Sequence, residues 1–339
     1  MEIKCADRED KELWNRIVQN SPHGTIFHTW EWLHCIEAYT GSRLYPMMVF
    51  NGTEPVAVYP LYIRHFGPVK MAFSPPPRCL LLYLGPVFCG WDELKQEKRE
   101  SLYIKIQKEI DTFIFSDIGC SYVRIRTAPG IYDSRPLKWS GYSVEPLYTY
   151  RLDTCRGIEV IQEGCDRKVR ANVRKAQKEG LMIEDGTEQD IPFILESLKK
   201  RYEQQGFVAS DYESYVRDLY EKFSPDHMHI YIATLNGMKL SGMITLTYNN
   251  VNYMWLGVPK NTRTNLSPND LIQWEAINRT VLNGTRYYEE LETGDDPRTV
   301  RFKSKFNPEI VVWFSATKYS GTAYQIADTL RQGISAHRL

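Results

Sequence analysis

The chain predicts a two-domain α+β protein. Three observations carry that prediction: a length of 339 residues, an ordinary globular composition, and one order of elements that runs twice. A chain this long is natural for two cores rather than one. Hydrophobic residues make up 42% and charged residues 25%, as in globular proteins generally. Each half reads helices, hairpin, long helix, strand, without clear sequence identity between the halves.

In the first half, Asp10–Asn20 predicts a helix with Leu13, Ile17 and Val18 inward. Trp30–Tyr39 predicts a second, capped by Thr29, with Leu33 and Ile36 on its inner face. Leu44–Phe50 and Pro55–His65 predict strands joined by Asn51-Gly52, a strong hairpin signal. Val69–Phe73 extends the sheet, and Ser74-Pro75-Pro76-Pro77-Arg78 is a stiff loop. Trp91–Ser116 reads as one long helix, with Leu102, Ile106, Ile110, Phe113 and Ile114 on its apolar face. Tyr122–Arg126 and Tyr148–Leu152 are strands, separated by a loop marked by Pro129-Gly130, Pro136 and Gly141.

The pattern restarts near Asp153, so the first domain is expected over 1–152, the second over 153–318, and a last helix within 319–339. Helices over Gly157–Glu163 and Arg167–Glu179 lead to a strand at Leu181–Glu184. Ile191–Gln204 and Tyr212–Phe223 follow as helices, then a meander of His229–Leu235, Leu240–Tyr248 and Val251–Gly257. Ser267-Pro268-Asn269-Asp270 predicts a helix start: Ser267 as cap, Pro268 at the first helical position, Asp270 completing a capping box. Leu271, Trp274, Ile277 and Val281 share one face, and Asn283-Gly284 closes the helix. Arg286–Leu291 is a strand, Thr293–Pro297 a turn, Val300–Phe306 a short helix, and Ile310–Phe314 the last strand.

Composition excludes several classes. Formal net charge is zero, so nucleic-acid contact requires a local basic patch. Met1–Asp10 is charged and lacks the apolar core of a signal peptide. No apolar run approaches the ~18 residues of a membrane span. Seven cysteines, with no Cys-x-x-Cys pair, predict free thiols in a reducing, cytoplasmic setting rather than a disulfide framework or a zinc ribbon. Asp226-His227-Met228-His229 has His-x-His spacing without further ligands, so no metal is expected. Asp295-Asp296 before Pro297 reads as a turn, and neither a Gly-x-Ser-x-Gly elbow nor a P-loop occurs.

One local basic patch does exist. On a helix, Arg167, Arg170, Arg174 and Lys178 project to one side while Val169, Val173 and Ala176 face the core. Such a face suits phosphates, of tRNA or of a pyrophosphate-linked acceptor; an amphipathic solvated helix shows the same pattern. Asn172 within it reads as a local hydrogen-bonding residue.

Three stretches resemble the Fem family of aminoacyltransferases, which build peptidoglycan interpeptide bridges. They are Phe27-His28-Thr29-Trp30-Glu31-Trp32-Leu33, Arg170–Ala176, and the run of strand, helix with Trp274-Glu275-Ala276-Ile277, strand, then Phe302-Lys303-Ser304-Lys305-Phe306. The resemblance implies two tandem GNAT-like domains, each a mixed, mostly antiparallel sheet flanked by helices, with a C-terminal helix, Ala323–Ile334, packing back on the first domain. It implies that Lys303 lies by the transferred acyl group, where a fixed ammonium stabilises the developing oxyanion. Lys305 stands where the family commonly has glycine.

Among the aromatics, Trp30 and Trp32 would border an acceptor groove between domains, and Tyr253 and Trp255 lie on the strand that runs beside the acyl group in GNAT folds. Core packing is the plainer role for each, and His28 is a base candidate without a neighbouring carboxylate.

The implied reaction transfers an aminoacyl group from aminoacyl-tRNA, a co-substrate rather than a bound cofactor. The acceptor is an amine of a peptidoglycan precursor or another nucleotide- or lipid-linked glycan. Peripheral contact with a membrane-linked substrate is compatible with this. An acyl-CoA-dependent N-acyltransferase of surface polysaccharide synthesis is the alternative, with acetyl-CoA as donor. A non-catalytic RNA- or glycan-binding protein is the third. The donor loop argues against CoA: Pro259–Asp270 contains no glycine to bring backbone N–H groups onto a pyrophosphate, and Asp270 places negative charge there.

Overall fold

The computed structural model describes residues 1–204, 211–258, 264–292 and 297–321. Its first elements are β1 (Glu2–Cys5), α1 (Lys11–Asn20), α2 (Trp30–Thr40), β2 (Arg43–Asn51), β3 (Glu54–Phe66), β4 (Val69–Ser74) and β5 (Val87–Phe88). α3 (Gln96–Asp111), β6 (Tyr122–Arg126), α4 (Arg135–Trp139) and β7 (Ser143–Asp153) follow. Next are α5 (Ile158–Gly164), α6 (Arg167–Lys178), β8 (Met182–Asp185), α7 (Ile191–Gln204), α8 (Glu213–Phe223), β9 (Met228–Leu235), β10 (Met238–Tyr248) and β11 (Val251–Gly257). α9 (Pro268–Leu282), β12 (Tyr287–Glu292), α10 (Pro297–Ser304) and β13 (Glu309–Tyr319) complete them.

Two units divide the chain: Met1–Leu147 with the described residues from Val312 onward, and Tyr148–Val311. In the first, β1, β2, β3 and β4 pair antiparallel in order, and β4 pairs β6 in parallel. The Asn51-Gly52 hairpin forms as its sequence requires, with Gly52 at φ +65°. α3 lays Ile106 and Ile110 on Val49, Ala57, Leu61, Val123 and Ile125. The expected long helix from Trp91 is interrupted. Trp91 stacks on Phe88 with centroids 4.3 Å apart, and Leu94 and Lys95 are extended before α3 begins.

β13 completes this sheet, pairing antiparallel with β6: Ser315 opposes Arg126 and Tyr319 opposes Tyr122. The strand from Val312 therefore counts with the first unit, where the sequence reading places it in a second domain ending at 318. The helix expected over Ala323–Ile334 lies outside the described residues.

The second unit orders its strands β7-β12-β11-β10-β9-β8, with β11 and β12 parallel and the rest antiparallel. α6 and α9 cover one face, where Val169, Val173, Leu271, Trp274 and Ile277 pack on Tyr231, Met243 and Tyr288. α9 buries residues on nearly every side, as a central helix must. α7 packs on β10 and β11 from the opposite face, where Gly242 leaves room for Ile194. Among the described residues no helix is long and apolar enough to cross a membrane.

Candidate active site

The second unit contains a break in its own sheet. Parallel pairing of β11 and β12 runs from Val251↔Tyr287 to Tyr253↔Glu289 and stops, although β11 continues to Gly257 and β12 to Glu292. Both strands are irregular at that point. On β11, Trp255 is the extra residue of a bulge against β10, since Thr245 opposes Met254 and Ile244 opposes Leu256. On β12 the register with β7 shifts between Glu289 and Glu292, and Leu291 adopts φ +49°. A left-handed leucine is strained, a cost of about 1–3 kcal/mol that surrounding contacts must offset. Here the Thr149 hydroxyl donates to the Leu291 carbonyl, and the Lys303 ammonium donates to the Glu290 carbonyl. Side chains thus hold two carbonyls of the parted strand.

Lys303 comes from α10 and is 7% exposed. Beside it the Glu290 side chain is buried, its Oε2 without a hydrogen-bond partner among the described residues. Gln273 of α9, 0% exposed, lies next to that carboxyl and favours its ionised form, though neither amide atom makes a hydrogen bond of full geometry among the described residues. Burial raises the Glu290 pKa; the positive charges of Lys303 and Lys305 oppose the rise.

Asp270 organises the adjoining helix start. Ser267 makes no side-chain cap, so the expected capping box does not form. Asp270 is instead buried, accepting from Asn172 Nδ2 at 2.6 Å and from Lys305 Nζ at 2.9 Å. Lys305 also stands 4.7 Å from the Phe302 ring centroid. Through Asn172 the first turn of α9 is tied to α6. There Arg167 and Arg174 are exposed, Arg170 is half-buried, and Val169, Val173 and Ala176 are inside.

Residue alternation sends Glu289 to the other face of the sheet. Its carboxylate is fully buried and takes two bonds from Arg151 of β7, from Nε at 3.0 Å and Nη2 at 2.5 Å. The Arg151 guanidinium also lies over the Tyr287 ring. Tyr253, directly across from Glu289, is buried, and burial followed by that carboxylate raises its phenol pKa. Tyr253 and Trp255 therefore stand at the point where the strands part, while Lys303 stands on β12's side of it.

His28, Trp30 and Trp32 belong to the first unit and are buried in it. Trp30 meets Trp14 edge-on at 6.0 Å and Trp32 meets Phe27 at 5.1 Å. The His28 Nδ1 lies 2.8 Å from Thr25 Oγ1, and its carbonyl accepts from Trp14 Nε1 at 2.7 Å. These are packing and turn-holding contacts. Burial lowers the pKa of His28 to about 3 and that of His23 to about 4. Both stay neutral in the folded chain while the unfolded chain protonates near pH 6.5. Stability from each is thus complete above that pH and lost on acidification towards pH 4, about 2 kcal/mol per histidine by pH 5. Urea melts at pH 7, 6 and 5 should show this decline, and His28→Gln should about halve it, His23 supplying the rest; a wild-type profile level from pH 7 to 5 would contradict the account.

Known proteins share this fold. Residues 165–304 match the family model of the acetyltransferase (GNAT) domain. FemX aligns in structure over 93% of this chain and 97% of its own, with a TM-score of 0.71 at 14% identity. A tandem GNAT protein from the clavulanic acid biosynthesis pathway aligns over 95% and 99%, with a TM-score of 0.56 at 11% identity. The chain has a tandem GNAT fold. L-PGS from Bacillus licheniformis shares it too, over 93% of each chain, with a TM-score of 0.55 at 11% identity. A comparison with curated protein sequences gives no match.

Within the second GNAT domain, sequence reasoning missed Glu290, Gln273 and the Arg151–Glu289 pair. Two signals were present. Glu289-Glu290 interrupts an otherwise apolar strand core, which forces one carboxyl into each face. Gln273 sits between Ile272 and Trp274 in a helix buried on nearly every side.

Proposed function

We propose that the chain transfers an aminoacyl group from aminoacyl-tRNA to an amine of a peptidoglycan-precursor-like or other glycan-linked acceptor. The parting of β11 and β12, with Lys303 held at its edge, carries this reading. An acylated end can lie extended between the strands, with the Lys303 ammonium fixed beside them by the Glu290 carbonyl. The neutral acceptor amine attacks the ester carbonyl, the carbon–nitrogen bond forms, the bond to the ribose oxygen breaks, and the proton that the nitrogen sheds ends on that ribose oxygen. Lys303 stabilises the negative charge that builds on the carbonyl oxygen. The ester is already activated, so positioning supplies most of the remainder.

Asp270 favours RNA over CoA as the donor. A pyrophosphate at the start of α9 would meet a buried carboxylate already holding Lys305 and Asn172. A charged tRNA needs only its acylated end here, with its backbone on the exposed cations of α6. The test is a donor comparison with the full chain. Transfer from charged tRNA should be RNase-sensitive, and RNA binding should weaken with salt and in the Arg167→Ala/Arg170→Ala/Arg174→Ala variant, at nearly unchanged Tm. Calorimetry should find no micromolar binding of acetyl-CoA. Micromolar binding, with the acyl group beside Tyr253, would move the reading to the CoA-dependent enzyme. RNA binding without turnover from either donor would leave a binding protein.

A further inference from the structure

We infer that Gln273 and Glu290 form a subsite for the α-amino group of the transferred aminoacyl unit, so that the protein selects aminoacyl over plain acyl groups. This rests on the aminoacyl reading above and adds to it the feature of the donor that is recognised. Three atoms carry it: Gln273 Oε1, Gln273 Nε2 and Glu290 Oε2 are all buried and make no hydrogen bond of full geometry among the described residues, while the Gln273 side chain lies near enough to Glu290 to favour its ionised form. Leaving polar atoms unmade in a core is costly, so their retention points to a polar guest. They sit beside the residue at which β12 leaves β11, within the electrostatic reach of Lys303.

The charge balance of this corner fits an amine. Facing Glu290 are Lys303 and Lys305, and Lys305 is paired with Asp270 of α9, itself bonded to Asn172 of α6. The Glu290 carboxyl, pushed up to about 8 by burial, and an α-amino group, which titrates at about 8, can share one proton. A neutral amine entering beside the protonated acid, with the proton passing from oxygen to nitrogen, leaves the net charge of the corner unchanged. Gln273 Oε1 then accepts a second N–H of the amine. An acyl unit without the amine leaves these groups unmade, which is how polar sites reject analogues.

Binding of two RNA probes to the full chain tests this. Both are short acceptor helices with a stable 3′-amide, one carrying alanyl and the other propionyl, which lacks only the amine. The wild type should bind the alanyl probe at least about tenfold more tightly. Gln273→Met and Glu290→Gln, which keep shape, should each bring the two affinities to within about twofold and leave that of the propionyl probe unchanged. Equal wild-type affinities would overturn the inference while leaving aminoacyl transfer standing. Discrimination that survives in either folded variant would also overturn it. If neither probe bound more tightly than the uncharged helix and no transfer from charged tRNA occurred, the aminoacyl reading would fall, and the subsite with it.

Discussion

Lys303→Ala is expected to lower turnover about a hundredfold, the worth of one well-placed oxyanion stabiliser at ~3 kcal/mol. The structure adds a second consequence. Lys303 is buried and holds the Glu290 carbonyl at the strained turn of β12. Removing it leaves that carbonyl without its donor, at a cost of about 1–3 kcal/mol in stability. It also removes the positive charge that opposes the rise in the Glu290 pKa, so that carboxyl becomes still harder to ionise. Lys305→Ala should cost less activity, since its ammonium serves Asp270 and the Phe302 ring. Single-turnover rates with charged tRNA, set beside urea melts, separate the two effects. A Lys303→Ala enzyme as fast as the wild type would remove Lys303 from the mechanism.

Arg151→Leu is expected to produce the larger loss of stability, about 3–5 kcal/mol. Glu289 is fully buried, and Arg151 supplies two bonds to its carboxylate. Without the arginine the buried carboxylate loses two charge-assisted bonds or takes up a proton, and either costs free energy. The pair itself is a different matter. Replacing both residues, as Arg151→Leu with Glu289→Leu, should recover most of the loss, because burying two ions offsets much of their attraction. Urea unfolding of the two single variants and the double variant forms a cycle that reads this coupling. An Arg151→Leu variant within 1 kcal/mol of the wild type, on the order of the value of an exposed pair, would show that water reaches Glu289.

The second domain's sheet and helices were legible because their periods are clean. Val251–Gly257 is a short apolar run, and Leu271, Trp274 and Ile277 repeat at helical spacing, so β11 and α9 follow from local chemistry. The burial of Lys303 is not written in any local pattern, since an isolated lysine before a strand carries no signal of it, and only the motif singles the residue out. The Arg135–Trp139 helix was read as a loop because one short turn with a proline lacks a period. What stayed hidden depends on register. That Glu289 faces Arg151 while Glu290 faces Gln273 requires knowing which strands flank β12, and pairing partners are not written in any local pattern. Asp270 shows the same limit: its place in the first turn of α9 spelled a capping box, and a lysine 35 residues later took the carboxylate instead.

The partner of β6 has a consequence for how the protein is made. Chain synthesis runs from the N-terminus at about 5–20 residues per second, and Ser315 follows Arg126 by roughly 190 residues, a delay of about 10–40 s. During that interval the first unit has every other strand of its sheet and an uncovered β6 flank carrying Tyr122, Val123 and Ile125. An open strand flank is a template for the wrong chain, including a neighbouring copy on the same messenger. A ribosome stalled anywhere in the second unit therefore leaves a nascent chain that is nearly folded and adhesive. Arg124 and Arg126, alternating with the apolar residues on that flank, put charge where such pairing would begin.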